Sequence, residues 1–95
     1  MRGVRMGYSI TYTKQALKDE KLLKQHPILY KKAYNFVKII KVNPFKIPPD
    51  YEKLKGDLDG SYSRRLNKKH RLVYQVYEEI KTIKVTSMWT HYENV

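Results

Sequence analysis

The stretch that decides the fold reads Arg64-Arg-Leu-Asn-Lys-Lys-His-Arg-Leu-Val-Tyr74. Six cationic or imidazole side chains fall within its first eight positions, and no acid lies among them. From His70 onward the pattern alternates as it does in a β-strand. The sequence therefore places a cationic surface on a sheet, whereas most basic runs lie on helices or tails. The phosphate groups of a nucleic acid backbone are the obvious partner of such a surface.

Working outward, the C-terminal half of the chain predicts three strands. Residues 61–66 form one strand, residues 67–69 make the turn, and residues 70–78 form the second strand. After a turn at 79–81, residues 82–89 form the third strand. Because both connections are short, the three strands form an antiparallel meander.

The N-terminal half predicts one strand and a helical hairpin. Residues 8–12 alternate as a strand, and Thr13 is the N-cap of a helix that fades near residue 26. A second helix begins at Pro27 and ends before Pro44. Its apolar stripe consists of Leu29, Ala33, Phe36, Val37 and Ile40. The order β-α-α-β-β-β defines an α+β fold, a twisted and mainly antiparallel sheet with the helical hairpin packed on one face.

Composition sets the class of the protein. With 95 residues we expect a single domain over 1–95, with residues 1–6 as a frayed extension. Lys and Arg total 20 against 9 Asp and Glu, a net charge of +11 that favours a polyanionic partner. The absence of Cys excludes disulfides and thiolate metal sites. No apolar run reaches the roughly 20 residues of a membrane span, so we expect a cytoplasmic protein without a membrane partner.

Several motifs resemble one bacterial toxin family. They are Glu52-Lys-Leu-Lys55, Leu58-x-Gly60, Tyr62-Ser-Arg-Arg65, His70-Arg-Leu-Val-Tyr74 and the closing His91-Tyr92. Together they resemble the YoeB/Txe branch of the RelE superfamily, from about residue 8 to residue 92. Members of that branch are toxins of type II toxin–antitoxin pairs that enter the ribosomal A site and cleave the mRNA there. The resemblance implies the RelE-like fold, which agrees with the element order predicted above.

The resemblance also implies roles for matched residues. Glu52 stands at the position of the general base, Arg71 at that of the phosphate-stabilising arginine, His91 at that of the general acid and Tyr92 at that of the neighbouring tyrosine. Lys55 and Arg65 match supporting cations of the cleft. From the basic run we add Arg64, Lys68 and Lys69 as candidate RNA or phosphate ligands. One departure is that Glu93-Asn-Val95 follow the His-Tyr pair, where related chains commonly stop.

The residues themselves support this chemistry with less force. RNA cleavage without a metal needs a base for the 2′-OH, an acid for the leaving 5′-oxygen and cations for the crowded phosphate. Each candidate has a structural alternative. The alternative for Glu52 is a solvated charge beside lysines, and the alternative for His91 is an ordinary surface residue. Arg64 and Arg65 point to opposite faces of one strand, so at most one of them lines the cleft. We expect His70 to have a structural role.

Three functions remain open at this point. The first is a ribosome-dependent endoribonuclease toxin, the second a gyrase-directed toxin of the same fold, and the third an RNA-binding module without catalysis. The family resemblance implies an acidic antitoxin of the YefM/Phd type, the ribosome and mRNA as partners, and it leaves a homodimer open. No cofactor is implied, and no metal-ligand spacing occurs in the sequence.

Overall fold

The computed structural model describes residues 7–89. It contains two helices, α1 (Lys14–Leu23) and α2 (Pro27–Val42). The five strands are β1 (Ser9–Tyr12), β2 (Glu52–Lys53), β3 (Ser61–Arg65), β4 (Arg71–Tyr77) and β5 (Thr82–Ser87). They form one sheet in the order β1-β5-β4-β3-β2. β1 pairs with β5 in parallel, and the other pairs are antiparallel.

The predicted α+β architecture is confirmed, with one addition. The meander of β3, β4 and β5 has the expected antiparallel pairing. The addition is β2, which consists of Glu52 and Lys53 alone and pairs with Ser63 and Tyr62. A strand of two residues carries no alternation that a sequence pattern can reveal, because its pairing depends on a partner distant in the chain. The order is therefore β-α-α-β-β-β-β.

The helical hairpin forms as its sequence signals indicate. The hydroxyl of Thr13 accepts a hydrogen bond from the backbone N–H of Ala16 (3.1 Å) and so caps α1. Pro27 occupies the first turn of α2, where its missing N–H leaves no bond unmade. Ala33 and Ile40 of the predicted stripe are almost completely buried. The stripe therefore turns α2 toward the sheet.

The core lies between the hairpin and one face of the sheet. On the sheet side it contains four side chains with 0% exposure, Leu72, Tyr74, Ile83 and Val85. Removing an aliphatic side chain of this kind from water stabilises the fold by roughly 1.5–3 kcal/mol. No helix among residues 7–89 combines the length and the apolar character needed to cross a membrane.

Strand register determines which residues share the opposite face. In an antiparallel pair, residues directly across from each other point to the same side of the sheet. Glu52 lies across from Ser63, and Ser63 lies across from Val73. Arg65, two residues after Ser63 in β3, points to the same side and lies across from Arg71. This register collects a carboxylate and two guanidinium groups on the face away from the helices.

Candidate active site

The centre of the site is a contact between Glu52 and Arg71. Arg71 begins β4, and its Nη1 donates to Oε1 of Glu52 at 3.3 Å. The two residues are 19 positions apart in the chain. The Glu52 side chain is 65% exposed and that of Arg71 is 26% exposed. A pair this open to water contributes little to stability, so its importance lies in what it places together.

A cleft of about 310 Å³ surrounds this pair. Its lining consists of Ile47, Asp50, Tyr51, Glu52, Ser63, Arg65 and Arg71. The volume is at the lower end of the range of small-molecule sites, roughly 300–1,000 Å³. The side chain of Arg65 is exposed and makes no hydrogen bond or ion pair with any described residue. Its guanidinium can therefore hold an incoming anion with two parallel N–H bonds.

The structure corrects the prediction for Arg64. This side chain is 0% exposed and lies on the helix side of the sheet, whereas Arg65 lines the cleft on the other side. Its Nε donates to Oη of Tyr74 (3.1 Å) and its Nη2 to the carbonyl oxygen of Pro44 (2.9 Å), while Nη1 donates to the carbonyl oxygen of Pro49. Because Arg64 is buried and three of its N–H groups are directed at interior oxygens, it is not placed to contact RNA. The expectation that at most one of the two arginines lines the cleft is confirmed.

Arg64 instead anchors the loop that carries half of the cleft. Residues 44–51 connect α2 to β2, and the guanidinium holds both Pro44 and Pro49 by their carbonyl oxygens. The Cζ atom of Arg64 also lies 5.2 Å from the ring centroid of Tyr51, a cation–π contact. The loop therefore leads into Glu52 from a fixed position.

Aromatic rings complete the anchoring of this loop. The ring centroid of Tyr62 lies 5.1 Å from that of Phe45, 5.8 Å from that of Tyr51 and 5.9 Å from that of Tyr74. These rings pack against one another and hold the loop to the sheet. Burial raises the pKa of Tyr74, while its hydrogen bond from Arg64 opposes that rise. Tyr74 Oη donates to the carbonyl oxygen of Pro44 at 2.7 Å and so joins the same network.

Three predicted phosphate ligands lie outside the cleft lining. Lys55 precedes the short 3₁₀ turn Gly56–Leu58 and is exposed. Lys68 and Lys69 are exposed in the β3–β4 turn, where Oδ1 of Asn67 accepts from the backbone N–H groups of Lys69 (2.8 Å) and His70 (2.7 Å). Their role as phosphate ligands remains a prediction, since the residues that line the cleft do not include them.

His91 and Tyr92 lie outside the described residues, but the segment that leads to them is well anchored. The ring of Trp89 stacks on that of His70 with centroids 3.9 Å apart and also contacts His26 at 5.5 Å. The backbone N–H of Met88 donates to Oδ2 of Asp19, a carboxylate with 0% exposure on α1. The expected structural role of His70 agrees with this stack.

Sequence reasoning missed two groups of residues here. Asp19 stands on the buried face of α1, three positions after Ala16 and four before Leu23, and that spacing is the signal that could have identified it. Ile47, Asp50 and Tyr51 were not among the predicted site residues, yet they line the cleft. Among residues 7–89, no three His, Asp or Glu side chains are grouped so that they could hold a metal ion.

The fold and the site define a class of small basic α+β proteins whose sheet presents a carboxylate–arginine pair in an open cleft. A family model described as "YoeB-like toxin of bacterial type II toxin-antitoxin system" matches residues 12–92. The toxin YoeB of Synechocystis sp. is 36% identical over 75 residues, which are 79% of this chain and 77% of that protein.

Two solved structures from Staphylococcus aureus resemble this fold closely. A YoeB–YefM complex has a TM-score of 0.77 and 38% identity, over 94% of this chain and all of that one. A YoeB dimer has a TM-score of 0.76 and 39% identity, over 90% of this chain and 98% of that one. The chain belongs to the family of YoeB-like toxins of type II toxin–antitoxin systems.

Proposed function

We propose that the protein is a ribosome-dependent mRNA endoribonuclease that cleaves mRNA in the ribosomal A site and thereby stops translation. The observation that carries the proposal is the contact of Glu52 with Arg71 in a cleft of about 310 Å³, beside Arg65, whose side chain makes no ion pair with a residue in 7–89. A carboxylate next to two guanidinium groups on a chain of charge +11 suits a phosphodiester substrate.

The proposed reaction is an internal transesterification. Glu52 takes the proton of the 2′-OH, whose oxygen attacks the adjacent phosphorus, and the bond to the 5′-oxygen breaks. Arg71 and Arg65 stabilise the charge of the pentacoordinate phosphate, and His91, with Tyr92 beside it, returns a proton to the leaving 5′-oxygen. The products are a 2′,3′-cyclic phosphate and a 5′-OH end. No cofactor takes part in this scheme.

The Glu52–Arg71 contact gives the free protein a defined resting state. When RNA enters, its phosphate competes for the Arg71 guanidinium and frees the Glu52 carboxylate to face the 2′-OH. Because the resting pair is largely exposed, separating it requires little free energy. The site is therefore preorganised without being locked.

The proposal includes partners and a location. A toxin that arrests translation needs neutralising, and the S. aureus relative occurs in a complex with YefM. We propose an acidic antitoxin of that type, attracted by the +11 charge and covering the cleft, with the cytoplasmic ribosome and its mRNA as target. We also propose that the toxin forms a homodimer, by analogy with the S. aureus YoeB dimer. Within these assemblies the whole chain acts as one domain.

Two substitutions test the function directly. Purified wild type, Glu52→Gln and Arg71→Lys are added to ribosomes programmed with mRNA, and cleaved ends are mapped by primer extension. We expect losses of roughly 10²–10⁴-fold for Glu52→Gln and 10²–10³-fold for Arg71→Lys. Glu79→Gln, an exposed glutamate outside the cleft lining, is the matched control and should cleave normally.

The alternatives make different predictions. A gyrase-directed toxin would damage DNA while leaving translation running at first. A binding module would retain RNA affinity and produce no cut ends. Full activity in both Glu52→Gln and Arg71→Lys would remove the proposed mechanism.

A further inference from the structure

The cleft contains a second carboxylate that the proposed chemistry does not use. Asp50 lines it together with Arg65 and Arg71, yet it makes no hydrogen bond or ion pair with any residue in 7–89. It is exposed to the cleft and lies two positions before Glu52. If the cleft bound only phosphate, the negative charge of Asp50 would lower its affinity for that anion. The presence of Asp50 in the cleft therefore needs another explanation.

The backbone on both sides of Asp50 is held in place. Pro49, which precedes it, accepts a hydrogen bond from the buried Arg64 through its carbonyl oxygen. Tyr51, which follows it, packs its ring against those of Phe45 and Tyr62, both with centroids 5.8 Å away. Asp50 is therefore mounted on a fixed segment. A carboxylate carried on a fixed backbone segment can discriminate between ligands that differ by a single donor group.

The neighbours of Asp50 offer apolar surface to a flat ligand. Ile47 is 62% exposed, although it lines the cleft, and the half-buried Tyr51 belongs to the same lining. Nucleobases bind to such walls by stacking and are then read by polar groups at their edges. The cleft lining thus combines two guanidinium groups for phosphate with apolar surface and a carboxylate, Asp50, that the proposed chemistry does not use.

We propose that Asp50, with the wall formed by Ile47 and Tyr51, is a nucleobase subsite that selects guanine. This inference rests on the proposed function and names the base of the nucleotide whose phosphate Arg65 and Arg71 hold. An ionised carboxylate only accepts hydrogen bonds. Guanine presents two adjacent donors, N1–H and N2–H₂, which match its two oxygens. Cytosine and adenine present one amino group each, and uracil places carbonyl oxygens on both sides of its single N–H.

Mapping of cleavage sites tests the subsite on ribosomes. The mRNAs carry each of the four bases at every position of the A-site codon, and the toxins are wild type, Asp50→Asn and Asp57→Asn. We expect wild type to prefer guanine over uracil at one position by roughly tenfold. Asp50→Asn should lose that preference, because an amide presents both a donor and an acceptor. Asp57→Asn, an exposed aspartate outside the cleft lining, should retain the wild-type base profile.

A binding measurement tests the subsite without cleavage. Guanosine 3′-monophosphate and uridine 3′-monophosphate are titrated into each protein while the backbone amide signals of residues 50 and 51 are followed by NMR. Wild type should bind the guanosine nucleotide several-fold more tightly, and Asp50→Asn should bind both equally. Equal affinities in wild type, or an unchanged base profile in Asp50→Asn, would overturn the subsite while leaving the endoribonuclease intact. Absence of cleavage by wild type would remove the proposed function, and equal nucleotide affinities in that case would remove the subsite too.

Discussion

Arg64 and Arg65 are consecutive residues of β3 that serve opposite sides of the sheet. The Arg64 guanidinium is completely buried against the carbonyl oxygens of Pro44 and Pro49, whereas that of Arg65 lines the open cleft. The alternation of a β-strand produces this division. One arginine thus holds the loop in position, and the other is available for phosphate.

The buried arginine should be essential for stability. Arg64→Lys keeps the charge but cannot reach both loop carbonyl oxygens and Tyr74 at once. We expect the free energy of unfolding to fall by about 3 kcal/mol, because charge-assisted bonds are lost inside the core. Denaturant unfolding measures this loss. Arg65→Lys, the adjacent control, should change stability by less than about 0.5 kcal/mol. Equal stability of the two variants would contradict the anchoring role.

The hydroxyl of Tyr74 should contribute a smaller amount. Tyr74→Phe removes its bond to the Pro44 carbonyl (2.7 Å) and the acceptor for Nε of Arg64 (3.1 Å). The Pro44 oxygen keeps its bond from Nη2 of Arg64, so we expect a loss of about 1–2 kcal/mol in thermal unfolding. Tyr62→Phe is the matched control, because its hydroxyl makes no hydrogen bond with any described residue. An equally large loss of stability in Tyr62→Phe would show that the effect of Tyr74→Phe does not come from its hydrogen bonds.

The buried carboxylate of Asp19 should fix the end of β5. Asp19→Ala leaves the backbone N–H of Met88 without its acceptor (2.9 Å) in a buried position. We expect a loss of about 1–3 kcal/mol and faster hydrogen exchange at the Met88 amide. Since this segment leads to His91, cleavage should also slow. Glu20→Ala on the same helix is the control. Unchanged exchange at Met88 would show that the carboxylate does not hold this amide.

A pH-dependent contribution should come from the cluster of Tyr8, Glu78 and Lys81. The Tyr8 hydroxyl donates to both oxygens of Glu78 (2.9 and 3.1 Å), and Lys81 Nζ lies 3.1 Å from that carboxylate. The hydrogen bonds from Tyr8 and Lys81 lower the pKa of Glu78. Burial, together with the bond to Glu78, raises the pKa of Tyr8, and the bond to Glu78 raises that of Lys81.

The signs of these shifts define a window of stability. Because the pKa of Glu78 is lowered on folding, its carboxylate stabilises the fold at pH values above the ordinary carboxyl pKa. This stabilisation is lost as the pH falls through the lowered pKa. Because the pKa values of Tyr8 and Lys81 are raised on folding, their protonated forms stabilise the fold at neutral pH. This stabilisation is lost as the pH rises through the raised pKa values. The difference in melting temperature between wild type and Glu78→Gln should therefore be largest between about pH 5 and pH 10. A difference that does not vary with pH would contradict this linkage, and Glu79→Gln provides the control.

Local pattern was sufficient for most of the architecture. Alternation predicted every strand except β2, the 3.6-residue stripe predicted α2, and short turns predicted the antiparallel meander, because all of these signals lie within a few neighbouring residues. The same alternation separated Arg64 from Arg65. It could not say which of the two is buried, since the loop that covers Arg64 arrives from a distant part of the chain.

The sequence by itself determined the cationic strands, the helical hairpin and the candidate residues Glu52, Arg71 and Arg65. Only the tertiary structure decided that Glu52 meets Arg71, that Arg64 anchors residues 44–51, and that Asp50 and Ile47 line the same cleft. These contacts join segments separated by up to about twenty residues; strand register brings Glu52 to Arg71, and buried hydrogen bonds tie Arg64 to the loop. The periodicity of the sequence carries no information about these tertiary contacts, because they form only when the whole sheet is assembled.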